Sequence, residues 1–132
     1  MIKAGLIGAG HLGKIHLRLL EASKRYKLIG FYDSNNKNAK ILSREKGYRL
    51  FDSLEELIES CDIIDIVTPT LFHHEVSLKA IEKKKHIFIE KPIANSVFEA
   101  KEITKAAKKK GVLGHVGHVE RFTPAFKAAL YA

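Results

Sequence analysis

The sequence predicts an α/β protein built on a doubly wound, mostly parallel, six-stranded sheet. Three observations predict it. Short apolar, β-branched segments alternate with longer helical patterns along the whole chain. The apolar segments are nearly continuous hydrophobic runs, as expected of parallel strands covered on both faces. The chemically distinctive groups (Gly8 to Gly13, Asp33, Thr68–Pro69–Thr70, Glu90–Lys91–Pro92 and His115 to Arg121) each fall at the carboxyl end of such a run. Ligands of open parallel sheets bind at those ends, and right-handed crossovers wind such a sheet in both directions.

The elements follow in order. Ile2–Ile7 reads as the first strand, Gly8–Ala9–Gly10–His11–Leu12–Gly13 as G-x-G-x-x-G, and Ile15, Leu19 and Leu20 mark a helix. Leu28–Tyr32 is the second strand and ends at Asp33. A helix from Asn36 to Lys46 turns Ala39 and Leu42 inward and stops at Gly47. Tyr48–Phe51 is a short third strand near an edge. Asp52 or Ser53 caps a helix through Ser60, with Glu55 and Glu56 in its first turn. Ile63–Val67 is the fourth strand. Thr68–Pro69–Thr70 breaks it, and a helix runs from Phe72 to Lys84. His86–Ile89 is the fifth strand, Ser96 to Lys110 a long helix and Val112–Val116 the sixth strand.

The first thirty-three residues carry the strongest chemical signal. Gly8 permits a sharp turn from strand to helix. Gly10 leaves room for a pyrophosphate against the main chain, and Gly13 lets the helix pack closely on the strand. Ala9, His11 and Leu12 complete the loop, with His11 a spacer rather than a catalyst. The unpaired amides and the dipole of the helix start favour phosphate. Asp33 lies twenty residues beyond Gly13, where a dinucleotide fold places the acid that binds the adenosine ribose. Its hydrogen bonds to ribose hydroxyls are each worth roughly 1.5–3 kcal/mol. A carboxylate there opposes a 2′-phosphate, so the expected cofactor is NAD. Ser34, Asn35 and Lys37 keep NADP open as the alternative. The plainer reading is a glycine-rich turn that only joins strand to helix.

Composition bounds the class. The chain has 132 residues, 45% hydrophobic and 29% charged, enough for one domain with its own core. No apolar run approaches the roughly twenty residues of a membrane span, and no signal-peptide pattern opens the chain. Cys61 is the single cysteine, which excludes an internal disulfide and a C-x-x-C metal site; a cytoplasmic location and a buried, unreactive thiol are expected. The net charge of +8 raises the question of nucleic acid. Lys83–Lys84–Lys85 and Lys108–Lys109–Lys110 each end a helical pattern, however, where cations complement the helix dipole. No aromatic residues are interleaved with them, as single-strand binding would require. His115 and His118 lack an evident third ligand, so no metal is expected.

The later motifs form a distinctive series: Thr68–Pro69–Thr70 with His73–His74–Glu75, then Glu90–Lys91–Pro92, then Gly117–His118–Val119–Glu120–Arg121–Phe122. The whole chain resembles the Gfo/Idh/MocA family, and Glu-Lys-Pro at the end of the fifth strand is the most specific match. The resemblance implies an N-terminal Rossmann domain that binds NAD(P), joined to a C-terminal substrate domain. It implies dehydrogenation of a secondary alcohol on a sugar, inositol or sugar nucleotide. On this basis residues 1–120 are the cofactor domain and 121–132 the start of the crossing to a substrate domain. The resemblance implies cofactor contacts for Gly8, Gly10, Gly13 and Asp33. It places Thr68, Pro69 and His73 under the nicotinamide half, and Glu90 and Lys91 at the nicotinamide and substrate. Lys91 is then the catalytic lysine and a substrate contact, Arg121 borders the substrate pocket, and a cis peptide often precedes the proline.

Bottom-up chemistry agrees that the lysine polarises the alcohol oxygen and joins a proton relay rather than acting as sole base. Solvated surface roles remain the plainer readings of Lys91, His73, His74 and Glu120. The expectation is a cofactor domain with little turnover alone, whose family assembles as homo-oligomers through the other domain. The alternative is a non-catalytic nucleotide-sensing module.

Overall fold

The first strand, β1 (Ile2–Ile7), pairs in parallel on both sides, and the rest of the sheet grows from it. In the computed structural model, which describes residues 1–118 and 123–130, a five-stranded parallel sheet runs in the order β2-β1-β3-β4-β5. The other strands are β2 (Tyr26–Tyr32), β3 (Ile63–Ile66), β4 (His86–Glu90) and β5 (Gly114–Gly117). The helices are α1 (His11–Ala22), α2 (Asn36–Lys46), α3 (Leu54–Ser60), α4 (His73–Glu82), α5 (Val97–Lys110) and α6 (Pro124–Leu130), with a 3-10 turn at Thr70–Phe72. Arg121, like the rest of 119–122, lies outside the described residues.

The alternation of side chains along the strands builds two cores. On one face Leu6 and Phe31 pack with Leu17 of α1 and with Ala39 and Leu42 of α2. On the other, Ile7, Ile64, Ile66, Ile87 and Ile89 meet Leu57 and Ile58 of α3, Val76, Ala80 and Ile81 of α4 and Ile103 of α5. Each fully buried aliphatic side chain of this kind contributes about 1.5–3 kcal/mol relative to exposure. Covering both faces is what allows strands as apolar as β3 and β4.

The helix signals are local and legible. Ser53 accepts the amide of Glu56, Ser96 that of Glu99, and Asn35 that of Asn38. Gly47 closes α2 with φ 77° and Gly111 closes α5 with φ 69°. Lys108, Lys109 and Lys110 occupy the last turn of α5.

The expected third strand is corrected, which leaves five strands rather than six. Tyr48–Phe51 makes a single bridge, Leu50 to Phe31, outside β2. Phe31 donates to Arg49 O and Phe51 donates to Phe31 O, both at 2.9 Å. The segment is too short to pair further, because it lies between Gly47 and the Ser53 cap of α3.

Candidate functional site

Chain order reverses direction at β1. The chain passes from β1 to β2 on one side, then crosses to β3 on the other. The carboxyl ends of β1 and β3 therefore stand at a topological switch point, where α/β sheets open a crevice. A cleft of about 780 Å³ lies there, within the usual size of ligand pockets. Gly8, Ala9, Gly10, His11, Leu12 and Gly13 line it from β1 and α1, Asp33 from β2, and Thr68 and Pro69 from β3.

The turn into α1 depends on its glycines. Gly8 has φ 99°, and a Cβ on it would lie 2.5 Å from Thr68 N. A Cβ on Gly13 would lie 2.0 Å from Gly8 O, so helix and strand could not approach as they do. Gly10 differs: a Cβ there meets nothing within 4 Å, so it would project into the open cleft.

Helix α1 starts on Gly10 with no side-chain cap and no acidic residue in its first turn. Its first intrahelical bond runs from Lys14 N to Gly10 O, which leaves the amides of His11, Leu12 and Gly13 without a helical carbonyl. Ser and Asn caps close α2, α3 and α5, whereas α1 presents free donors and the positive end of its dipole to the cleft. Asp33 stands at the same mouth. Its Oδ2 accepts the Ala9 amide at 2.7 Å and its Oδ1 the Asn35 amide at 2.7 Å. A carboxylate has about four acceptor positions, so both oxygens keep capacity for hydroxyl donors. Thr68 lines the cleft from the loop after β3. Open space at Gly10, free amides and a carboxylate together fit a dinucleotide.

The remaining candidates sit beside or behind the cleft. His73 is 1% exposed and is not a solvated histidine. Its ring bridges two carbonyls, with Nδ1 2.8 Å from Pro92 O and Nε2 2.9 Å from Thr68 O. It thereby ties the turn after β4 to the loop after β3. Lys91, exposed, follows Glu90 at the end of β4, and the Lys91–Pro92 peptide is cis. The Glu90 carboxylate turns over the α1 side of the sheet to within 3.4 Å of His16 Nε2. His74 bridges Glu99 and Glu102 of α5 at 3.6 and 2.9 Å and holds α4 to α5.

The sequence reading missed two groups. Phe72 of the 3-10 turn and Glu75, Val76 and Lys79 of α4 form one wall of the cleft, an arrangement that only the tertiary fold specifies. His16 and Asp65 form a buried pair, Nδ1 to Oδ2 at 2.8 Å. The available signal was the one acid inside the β-branched run Ile63–Val67. Burial pushes the Asp65 carboxyl up, and the hydrogen bond to Asp65 raises His16. Among the described residues, no group of three or more His, Cys, Asp or Glu side chains is placed to hold a metal, and no helix is long and apolar enough to cross a membrane.

A switch-point cleft with a glycine turn, a free helix start and an acid on the next strand defines a dinucleotide-binding Rossmann domain. The chain belongs to the Gfo/Idh/MocA family: the family described as "Oxidoreductase family, NAD-binding Rossmann fold" matches residues 2–118. Glucose-6-phosphate 3-dehydrogenase of Bacillus subtilis is 34% identical over 122 residues, covering 92% of this chain and 35% of that protein. Scyllo-inositol 2-dehydrogenase (NAD(+)) of the same organism is 34% identical, covering 97% and 39%. The solved UDP-N-acetylglucosamine 3-dehydrogenase GnnA of Acidithiobacillus ferrooxidans superposes with a TM-score of 0.91 at 32% identity, over 98% of this chain and 42% of that one. The chain thus spans well under half the length of these relatives.

Proposed function

We propose that this chain serves as the cofactor-binding part of an NAD-dependent dehydrogenase that oxidises a secondary alcohol of a sugar, inositol or sugar nucleotide. On this reading it turns over little or no substrate alone. The observation that carries the proposal is the uncapped start of α1 opening on empty space at Gly10, with the Asp33 carboxylate at its mouth.

When bound, the nicotinamide supplies the hydride acceptor. The amides of His11, Leu12 and Gly13 donate to the diphosphate, and the α1 dipole adds to their field. Asp33 accepts from the ribose hydroxyls and disfavours a 2′-phosphate, which is the basis for preferring NAD over NADP. Thr68 and Pro69 bound the nicotinamide half, and His73 holds their loop against the turn that carries Lys91. Lys91 would hydrogen-bond the substrate oxygen and, as a member of a relay that ends in solvent water, take up the proton the alcohol loses, which makes it the catalytic residue within this chain. Glu90 shapes the same turn, and Arg121 borders the substrate. The relatives named for dehydrogenation of sugar phosphates, inositols and sugar nucleotides support this substrate class. Homo-oligomers formed through a substrate domain, and a cytoplasmic location, complete the proposal.

Gly10→Val tests the cradle. Its folded structure by circular dichroism should match the wild type, while NADH affinity falls at least about tenfold, or roughly 1.4 kcal/mol. Unchanged affinity in a folded variant would refute the cradle.

A further inference from the structure

One cluster of ionisable groups is left over by the proposed chemistry. His16 projects from the second turn of α1 onto the sheet face beyond Leu6, whose register partner in β3 is Asp65. Its Nδ1 lies 2.8 Å from Asp65 Oδ2 and its Nε2 3.4 Å from Glu90 Oε2. The three side chains are only 15%, 11% and 13% exposed. Phe88, the register partner of Asp65 on β4, has its ring 6.0 Å from the imidazole in an edge-on arrangement.

The seat of Glu90 is built by both neighbours. On β5, a Cβ at Gly117 would lie 2.9 Å from Glu90 Oε2 and 3.0 Å from the Phe88 ring, so a side chain there would push the carboxylate from its present place. On the other side, the imidazole is hydrogen-bonded to Asp65 through Nδ1 and, when protonated, faces Glu90 through Nε2 as an ion pair at 3.4 Å. The ionisable groups around the His16 ring are Asp65 of β3, Glu90 of β4, Tyr26 of β2 in the same cavity, and His115 of β5 stacked on the far side of Phe88. Asp65 thus anchors the ring, and the ring's other nitrogen reaches the residue immediately before Lys91.

We propose that His16 is a positioning residue for the Glu90–Lys91–Pro92 turn, holding the Glu90 carboxylate over the sheet through Nε2 while Asp65 fixes the ring. This rests on the reading of Lys91 as the substrate-facing lysine. The helix that presents its start to the cofactor phosphates then also sets the side chain next to that lysine. Without the Nε2 contact Glu90 is free to swing, and the charge near the Lys91 amine changes.

Two substitutions separate this role from a merely structural one. His16→Gln keeps a donor near the position of Nε2, which serves Glu90. His16→Asn keeps one near Nδ1, which serves Asp65 alone. The probe is the 132-residue chain with 13C-methylated lysines, the Lys91 signal being identified by its loss in Lys91→Arg.

At about pH 6, where the ring is protonated, His16→Asn should move the Lys91 signal, because a freed carboxylate changes the field at the amine. His16→Gln should leave it near the wild-type position, and adding Glu90→Gln to His16→Asn should abolish the move. NADH affinity of the His16→Asn and His16→Gln single variants should stay within about twofold of wild type, since the phosphate donors are backbone amides. Equal effects of Gln and Asn, or no effect of Asn, would overturn the proposal. Should His16→Asn not fold, the 15N signal of His16 Nε2 in otherwise wild-type protein provides the test. Glu90→Gln must shift it, and an unmoved signal would equally overturn the proposal. Failure of the wild-type chain to bind NADH would instead count against the functional reading and leave the His16 contact standing on its own result.

Discussion

At the scale of single residues, the three loop glycines do different work, and stability and binding separate them. Gly13→Ala forces a side chain against Gly8 O, a backbone atom with no freedom to retreat. Overpacking of that kind should cost about 2 kcal/mol and lower the thermal midpoint by roughly 8 °C. Gly10→Ala, pointing into open space, should melt with the wild type. Equal melting of both variants would show that helix and strand are not in close contact there. Cys61 is buried beside the start of β3, and desolvation pushes its thiol up to about 11. At pH 8 the folded chain should therefore resist a thiol reagent and then take up one equivalent on denaturation. Rapid labelling of the native protein would contradict that burial. These residues were readable in advance because a tight turn and a single cysteine impose local demands. His73 was not: sequence left it between the cofactor and solvent, whereas it bridges Thr68 and Pro92 from a buried position.

At the scale of elements, α1 joins two tasks on one rod. Its start faces the cleft, and its second turn carries His16 to Asp65, 49 residues away in sequence. The hydrogen bond from His16 to Asp65 raises the histidine above its ordinary 6.5. The folded state then holds this proton more tightly than the unfolded chain, so the pair's contribution is complete below pH 6.5 and is lost as pH rises through the folded value. Asp65, raised by burial, acts in the same direction over its own lower range. The thermal midpoint should fall as pH rises above 6.5, and His16→Gln should flatten that slope. A slope identical in the two proteins would show that His16 does not titrate with folding. Helices were legible because their caps are local; α2 runs Asn36–Lys46 as its pattern and Gly47 indicate. Strand number was less so, since Tyr48–Phe51 has strand composition but room for one bridge only.

At the scale of the whole molecule, function follows from where strand order reverses. The glycine turn, Asp33 and Thr68 come from three strands and meet because β2 and β3 flank β1. Sequence could foresee that meeting, because parallel strands place their ends on one edge. It could not foresee the wall of Phe72, Glu75 and Lys79, whose facing depends on helix rotation. Of the two lysine triplets, Lys108, Lys109 and Lys110 occupy the last turn of α5, and Lys83 pairs with Glu59 at 2.9 Å. The central claim is that free amides of α1 and the Asp33 carboxylate together hold a dinucleotide. Calorimetric titration of NADH and of NADPH into the same chain tests it most directly. One site per chain is expected, with NADH bound about tenfold or more tighter than NADPH; heat from neither nucleotide, or a preference for NADPH, would refute this site.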